Sequence, residues 1–387
     1  MTLIIDSKLS TPETHVLLTG VGAYPYLKGG AKKRQIFIHH ENMGQLDSPP
    51  YSVRALADWF LSEFSNPTVP LGSLEILVSG GPAEYEIPDK KKVKLGAASV
   101  RNAETAIKAW ADRCDRNAEN MAVFYFCGHG VLSGQELSLL LEDFGSDTDM
   151  PFKDAIAFSK FRIGMRRRVV RNQCFFLDAC RSVSEEYLLT YGGEFTGMPI
   201  ISGALTSAIP GTQSQVFYAS ELGTAAYGAK GKPSVFTQGL LAAITGMAGW
   251  QDESGWSVRT SRLAEAINAH ADKQMFVEKM PEQLCEADGV AKAIEFHRLK
   301  GEPRIPVLVR CEPPEATKLA DFLCLKAGQE VAKGNCGMFP VWQTELSPDR
   351  YDFHAVFPPN PKTFLDGVAL GRHVWPPLTP VRIEVQR

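Results

Sequence analysis

Two short apolar runs in this chain each stop at a reactive side chain: Phe124-Tyr-Phe-Cys-Gly-His-Gly130 at His129, and Cys174-Phe-Phe-Leu-Asp-Ala-Cys-Arg-Ser182 at Cys180. Neither run alternates polar with apolar residues, so neither reads as a strand with one wet face. A short run that is apolar throughout suits a strand buried on both sides, as in a parallel sheet covered by helices. Sheets of this kind open their ligand crevice beyond the carboxyl ends of the strands. His129 and Cys180 both stand at such ends, which predicts a common location for them.

The chain up to about residue 300 fits the same plan. Apolar runs at 15–20, 74–78 and 215–220 read as further strands, and 293–297 as a last one. Between them lie helical patterns. Val53, Leu56, Ala57, Phe60, Leu61 and Phe64 share one face, as do Val100, Ala103, Ile107 and Trp110. Two more helices are predicted near 236–247 and 260–275. The character changes around Leu299-Lys-Gly-Glu-Pro303, after which short β-rich runs at 305–310, 322–325, 351–357 and 381–385 alternate with Pro-rich turns. The predicted organisation is an α/β domain over 1–300, its mostly parallel sheet flanked by helices, and a small all-β, sandwich-like appendage over 301–387.

Composition excludes several functions. The 387 residues carry a net charge of −3, so no global field attracts nucleic acid or anionic lipid. The basic clusters at 90–94 and 166–168 are short enough to be solvated faces. No apolar stretch approaches the length of a membrane span, and the N-terminus shows no basic lead before a long apolar run, the mark of a signal peptide. The eight cysteines are scattered without a Cys-x-x-Cys pair. A reducing, cytoplasmic setting is expected, with no cofactor.

A thiol at neutral pH is mostly protonated and needs a base to become a nucleophile. His129 can take that proton and later return it to a leaving amine. Gly128 and Gly130 let the backbone approach a substrate closely. The amides of Gly130 and Cys180 could face the oxyanion that develops on the attacked carbonyl. A lone buried cysteine or loop histidine is usually structural; the pair at two strand ends points to catalysis.

These same residues carry a resemblance. The motifs around His129 and Cys180, 51 positions apart, are similar to those of the caspase-like cysteine peptidases, a superfamily that includes caspases, metacaspases and bacterial CHAT-type peptidases. Pro233-Ser-Val-Phe-Thr-Gln-Gly-Leu-Leu241 resembles a helix start found in the metacaspase and CHAT families. The likeness covers roughly residues 12–298. It implies a caspase-like fold, a Cys180–His129 dyad and a thioester intermediate, without a metal. Caspases carry Gln-Ala-Cys and select aspartate, whereas this chain has Asp178-Ala-Cys180. An acidic residue at that place is the metacaspase habit and implies cleavage after Arg or Lys, with Asp178 in the specificity pocket. Asp178 could instead position Cys180 through loop amides. Glu221 is a second pocket candidate, or a solvated loop carboxylate.

Between Arg181 and Lys230 there is no lysine or arginine, and between Asp178 and Asp252 no aspartate. An enzyme selective for either charge cannot cut itself in that linker. Control is therefore expected from a regulatory partner or an activating protease, the latter at basic loops such as 28–34 and 162–171. The acidic stretch Glu142, Asp143, Asp147 and Asp149 matches no calcium-loop spacing and reads as a solvated loop, although some metacaspases need calcium. The resemblance implies regulated proteolysis of a protein substrate, as in bacterial defence, cell-death or signalling cascades; one member class works beside CRISPR or nucleotide-signal systems. The alternative is a catalytically idle scaffold whose appendage binds a partner. No Gly-x-Ser-x-Gly turn suggests a serine hydrolase, and Thr19-Gly-Val-Gly22 is only a faint echo of a phosphate loop.

Overall fold

The computed structural model describes residues 3–7, 11–32, 43–87, 92–147, 149–181, 196–201, 208–220, 230–289, 292–359 and 363–387. By contacts the chain forms two compact units, Met1–Gln238 with Gln283–Ile294, and Gly239–Glu282 with Glu295–Arg387. Residues 239–282, which the sequence plan groups with the first domain, thus associate with the C-terminal strands.

The first unit is built on a seven-stranded sheet in the order Leu3–Asp6, Leu71–Ser79, Thr14–Val21, Met121–Cys127, Asn172–Asp178, Gln213–Tyr218 and Glu286–Asp288. The five central strands are parallel and the two outer ones antiparallel. This is the α/β architecture expected, and the central strands are almost wholly buried. The helix Ser48–Ser62 packs over one face, where a side chain at Gly20 would strike Val53. The helices Val100–Cys114 and Phe158–Met165 cover the other. On that face Phe161 meets Phe124 at 5.3 Å and Phe175 at 5.9 Å between ring centroids. Burying each such ring contributes about 1.5–3 kcal/mol. The block joins the strand that ends at the histidine to the strand that ends at the cysteine.

One sheet edge departs from the sequence plan. The segment Glu295–Arg298 does not join this sheet; it pairs with Gly255–Arg259 in a separate three-stranded sheet of the second unit. The edge is instead the exposed strand Glu286–Asp288, which shows no apolar pattern. Two ion pairs fasten it, Arg162 to Asp288 and Arg181 to Glu286.

In the second unit, strands between Ile305 and Glu384 form sheets of three and four strands around a shared core, with Val307, Phe322, Phe353 and Ile383 among its fully buried members. The all-β appendage is therefore a sandwich. The helix Leu263–Glu278 belongs to the same unit.

A buried polar cluster stands at the amino ends of the first unit's strands. Arg113 pairs with Glu75, both buried, and donates to the Ser73 hydroxyl at 3.1 Å. His15 Nδ1 meets the same hydroxyl at 2.9 Å. Removing one partner of a buried ion pair strands the other charge, so Arg113→Met should destabilise by about 3–5 kcal/mol in urea unfolding. Adding Glu75→Leu should restore most of that loss; no recovery would mean that Arg113 acts through packing alone. Burial pushes His15 down to about 4. The unfolded chain protonates it near the ordinary value, so this group's contribution to stability falls as pH drops from about 6.5 to 4.

Candidate active site

The site follows from strand register. Asp178 is paired with Cys127 across the parallel strands. Cys180 and His129 each lie two residues further on, so both leave the sheet at the same level. The crossing is tight. Gly128 N donates to the Asp178 carbonyl at 3.2 Å. A β-carbon at Gly130 would lie 2.5 Å from the Cys180 carbonyl oxygen, and one at Gly128 would lie 2.8 Å from the Tyr24 hydroxyl. Glycine at both positions lets the histidine loop seat itself against the cysteine loop.

The imidazole of His129 is held from two sides. Its Nε2 lies 2.8 Å from the carbonyl oxygen of Gly44. A carbonyl only accepts, so Nε2 carries the proton and Nδ1 of the neutral ring keeps a lone pair. The Tyr24 ring packs on the imidazole, 4.7 Å between centroids, and its hydroxyl accepts from His129 N at 2.8 Å while donating to the Leu140 carbonyl at 3.2 Å. The Gln45 side chain bonds both backbone groups of Tyr24, at 2.8 and 2.9 Å, and so fixes the Gly44 segment. Burial lowers the His129 pKa, opposed by the bond to Gly44. Burial thus favours the neutral form of the ring.

Cys180 is half-buried, whereas the other seven cysteines are buried and none of the eight is in a disulfide. Burial pushes Cys174, Cys285 and Cys324 up to about 12, which leaves them protonated and unreactive. Native protein should therefore take up one equivalent of iodoacetamide, at Cys180 by peptide mapping; rapid labelling of a second cysteine would contradict this assignment.

The residue after Cys180 is an anchor. The Arg181 guanidinium pairs with Glu286, donates to the Ser220 carbonyl at 3.3 Å and stacks 4.0 Å over the Tyr218 ring. The loop that presents Cys180 is thereby tied to the sheet's acidic edge.

Asp178 lies beneath this loop and is 3% exposed. Its Oδ2 accepts from Tyr125 at 3.0 Å, from Thr237 at 2.8 Å and from Ser234. Ser234 also accepts from Thr237 N at 3.0 Å, capping the helix Val235–Ala242. The Ser-Val-Phe-Thr segment therefore supplies two of the hydroxyls that hold the carboxylate. Among the described residues no lysine or arginine pairs with Asp178. Burial raises its pKa, and the hydroxyl bonds lower it in part. Glu221 lies outside the described residues.

The acidic stretch after the histidine is largely engaged by protein donors. Glu142 accepts from Ser79 at 2.7 Å, Asp143 from Val100 N at 2.9 Å, and Asp147 pairs with Lys153 at 2.6 Å. Among the described residues no group of three or more carboxylate, histidine or cysteine side chains could hold a metal, and no helix is long and apolar enough to cross a membrane.

The sequence alone did not single out Gly44, Tyr24, Gln45 or Arg181. Tyr24, Gly44 and Gln45 lie in segments of the sequence without a motif; Arg181 was visible beside Cys180, but its partners were not.

Known proteins resemble this chain in three ways. The family described as Caspase domain matches residues 76–283. A protein of Sinorhizobium fredii, y4kE, itself uncharacterized, is 32% identical over 275 residues, covering 65% of this chain and 77% of that protein. The crystal structure of caspase-1 from Spodoptera frugiperda aligns with 75% of this chain and 92% of its own length, at 10% identity and a TM-score of 0.40.

Proposed function

The chain belongs to the caspase-domain family, and on that premise we propose that it is a cysteine endopeptidase that cuts a protein substrate after arginine, or after lysine. The observation that supports this reading is the pairing of Asp178 with Cys127, from which Cys180 and His129 each follow by two residues, together with the bond from His129 Nε2 to the Gly44 carbonyl. Nδ1 of His129 takes the thiol proton, and the Cys180 sulfur attacks the carbonyl. The tetrahedral oxyanion is stabilised by the amides of Gly130 and Cys180. Collapse leaves a thioester on Cys180, and the amine departs with the proton from His129. Water, deprotonated by the same imidazole, then hydrolyses the thioester.

The preference for a basic residue rests on Asp178. A buried carboxylate surrounded by hydroxyls but no cation holds a charge at a cost. A substrate guanidinium supplies the missing counter-charge and accepts a bidentate geometry. The chain acts in the cytoplasm, in a regulated cascade of defence, cell death or signalling. Its control comes from a partner or an activating protease, and it works without metal or other cofactor.

A peptide library incubated with wild type and Cys180→Ala tests the proposal. Wild type should cleave after Arg or Lys and the variant nowhere. The protein alone should yield no Cys180-dependent fragments ending between 182 and 214. Absence of any wild-type activity would favour the idle scaffold, and cleavage after Asp would remove the pocket role while keeping the dyad.

A further inference from the structure

In the second unit the helix Leu263–Glu278 faces the outer side of the three-stranded sheet Trp342–Leu346, Ile305–Glu312 and Thr379–Glu384, leaving a cleft of about 570 Å³. Strand alternation places two arginines in it. Ile305, Val307, Val309 and Cys311 turn into the sandwich core, so Leu308 and Arg310 turn outward. Arg310 is in register with Arg382 on the parallel neighbour. Like charges set directly opposite repel, and the protein does little to neutralise them. Arg382 Nε is 3.7 Å from a Glu312 oxygen, in a half-exposed pair. Arg310 has no carboxylate partner among the described residues; its guanidinium lies 6.0 Å from the centroid of Phe276. Lys273, one turn earlier on the helix, adds a third cation to the lining. The floor is apolar, with Leu308 and Leu378, and Phe276 is left 43% exposed.

We propose that this cleft is a docking site for an acidic peptide segment that also bears apolar side chains. Carboxylates of the segment would meet Arg310, Arg382 and Lys273, and an apolar side chain would cover Phe276 and Leu308. The cleft has the size of a small-ligand or short-peptide site. Asp272, the acidic member of the lining, favours a peptide over inorganic phosphate because it can accept a backbone N–H, which phosphate does not offer. On the peptidase reading, the segment belongs to the protein substrate and docks it apart from the bond to be cut.

The test is fluorescence anisotropy with the Cys180→Ala full-length protein, so that cleavage plays no part. The probe is a fluorescein-labelled peptide alternating glutamate with leucine and phenylalanine. Saturable binding is expected, weakened about tenfold or more by Arg310→Glu, by Lys273→Glu and by replacing the peptide's glutamates with glutamine. Phe276→Ala should weaken it as well, and each variant should keep the parent's thermal midpoint. Millimolar inorganic phosphate should not displace the peptide. No saturable binding, binding indifferent to both charge reversals, or displacement by phosphate would overturn the proposal. Because binding is read on the inactive variant, this outcome is separate from whether the wild type cleaves anything.

Discussion

His129→Ala and Cys180→Ser should each lower kcat/KM on the best library substrate by about 10⁴-fold or more, and the double variant should lose no further activity. Groups that act as one unit fail together, so additive losses would show that they do not. The folded state should be little changed, since the loop is held by backbone contacts: Gly128 N to the Asp178 carbonyl, and Leu140 N to the His129 carbonyl at 2.9 Å. The pH profile adds a second reading of the same geometry. Catalysis needs the imidazole neutral at the start, and burial lowers the His129 pKa. The acid limb of kcat/KM should therefore fall below the ordinary histidine value of about 6.5. Pro or bulky substitutions near Gly44 would disturb the carbonyl that fixes Nε2 and should cost activity without touching either dyad member. An acid limb above about 7 would contradict the buried, neutral imidazole.

Asp178→Asn should cut activity on arginine substrates by about 10²–10³-fold while sparing the little activity on neutral residues. The substitution keeps the shape and the hydroxyl contacts from Tyr125, Ser234 and Thr237 but removes the charge that a guanidinium needs. The raised Asp178 pKa gives a further signature. As pH falls through that raised value the carboxylate is protonated, so KM for an arginine substrate should climb, and this rise should be missing in Asp178→Asn. A substrate with a neutral residue at the cleavage position separates the effect from the His129 limb, which acts on both. If Asp178 serves only to position Cys180, the asparagine variant will lower kcat for every substrate alike and leave the preference unchanged.

Much of this site was legible because it depends on short-range patterns. An apolar run that ends in a glycine and a reactive side chain specifies a buried strand and what it presents, and helical spacing between such runs specifies the cover. The register of the strands, and with it the meeting of His129 and Cys180, was inferred from that plan. The acidic edge strand was not legible: Glu286–Asp288 has no β-forming pattern, and it is placed by Arg181, Arg162 and the neighbouring strand. The same holds for the grouping of residues 239–282 with the C-terminal sandwich, which depends on contacts between segments that no local pattern links.

The sequence alone determined a covered parallel sheet and a β appendage, and it singled out Cys180 and His129 as the proposed nucleophile and base, because burial and reactivity are written residue by residue. Tertiary structure decided how those groups are tuned. Gly44 reaches His129 across 85 positions, the Tyr24 hydroxyl across 105, and Glu286 holds Arg181 across another 105. Hydrogen bonds and ion pairs of that span follow from the path of the whole chain, and no periodicity encodes them.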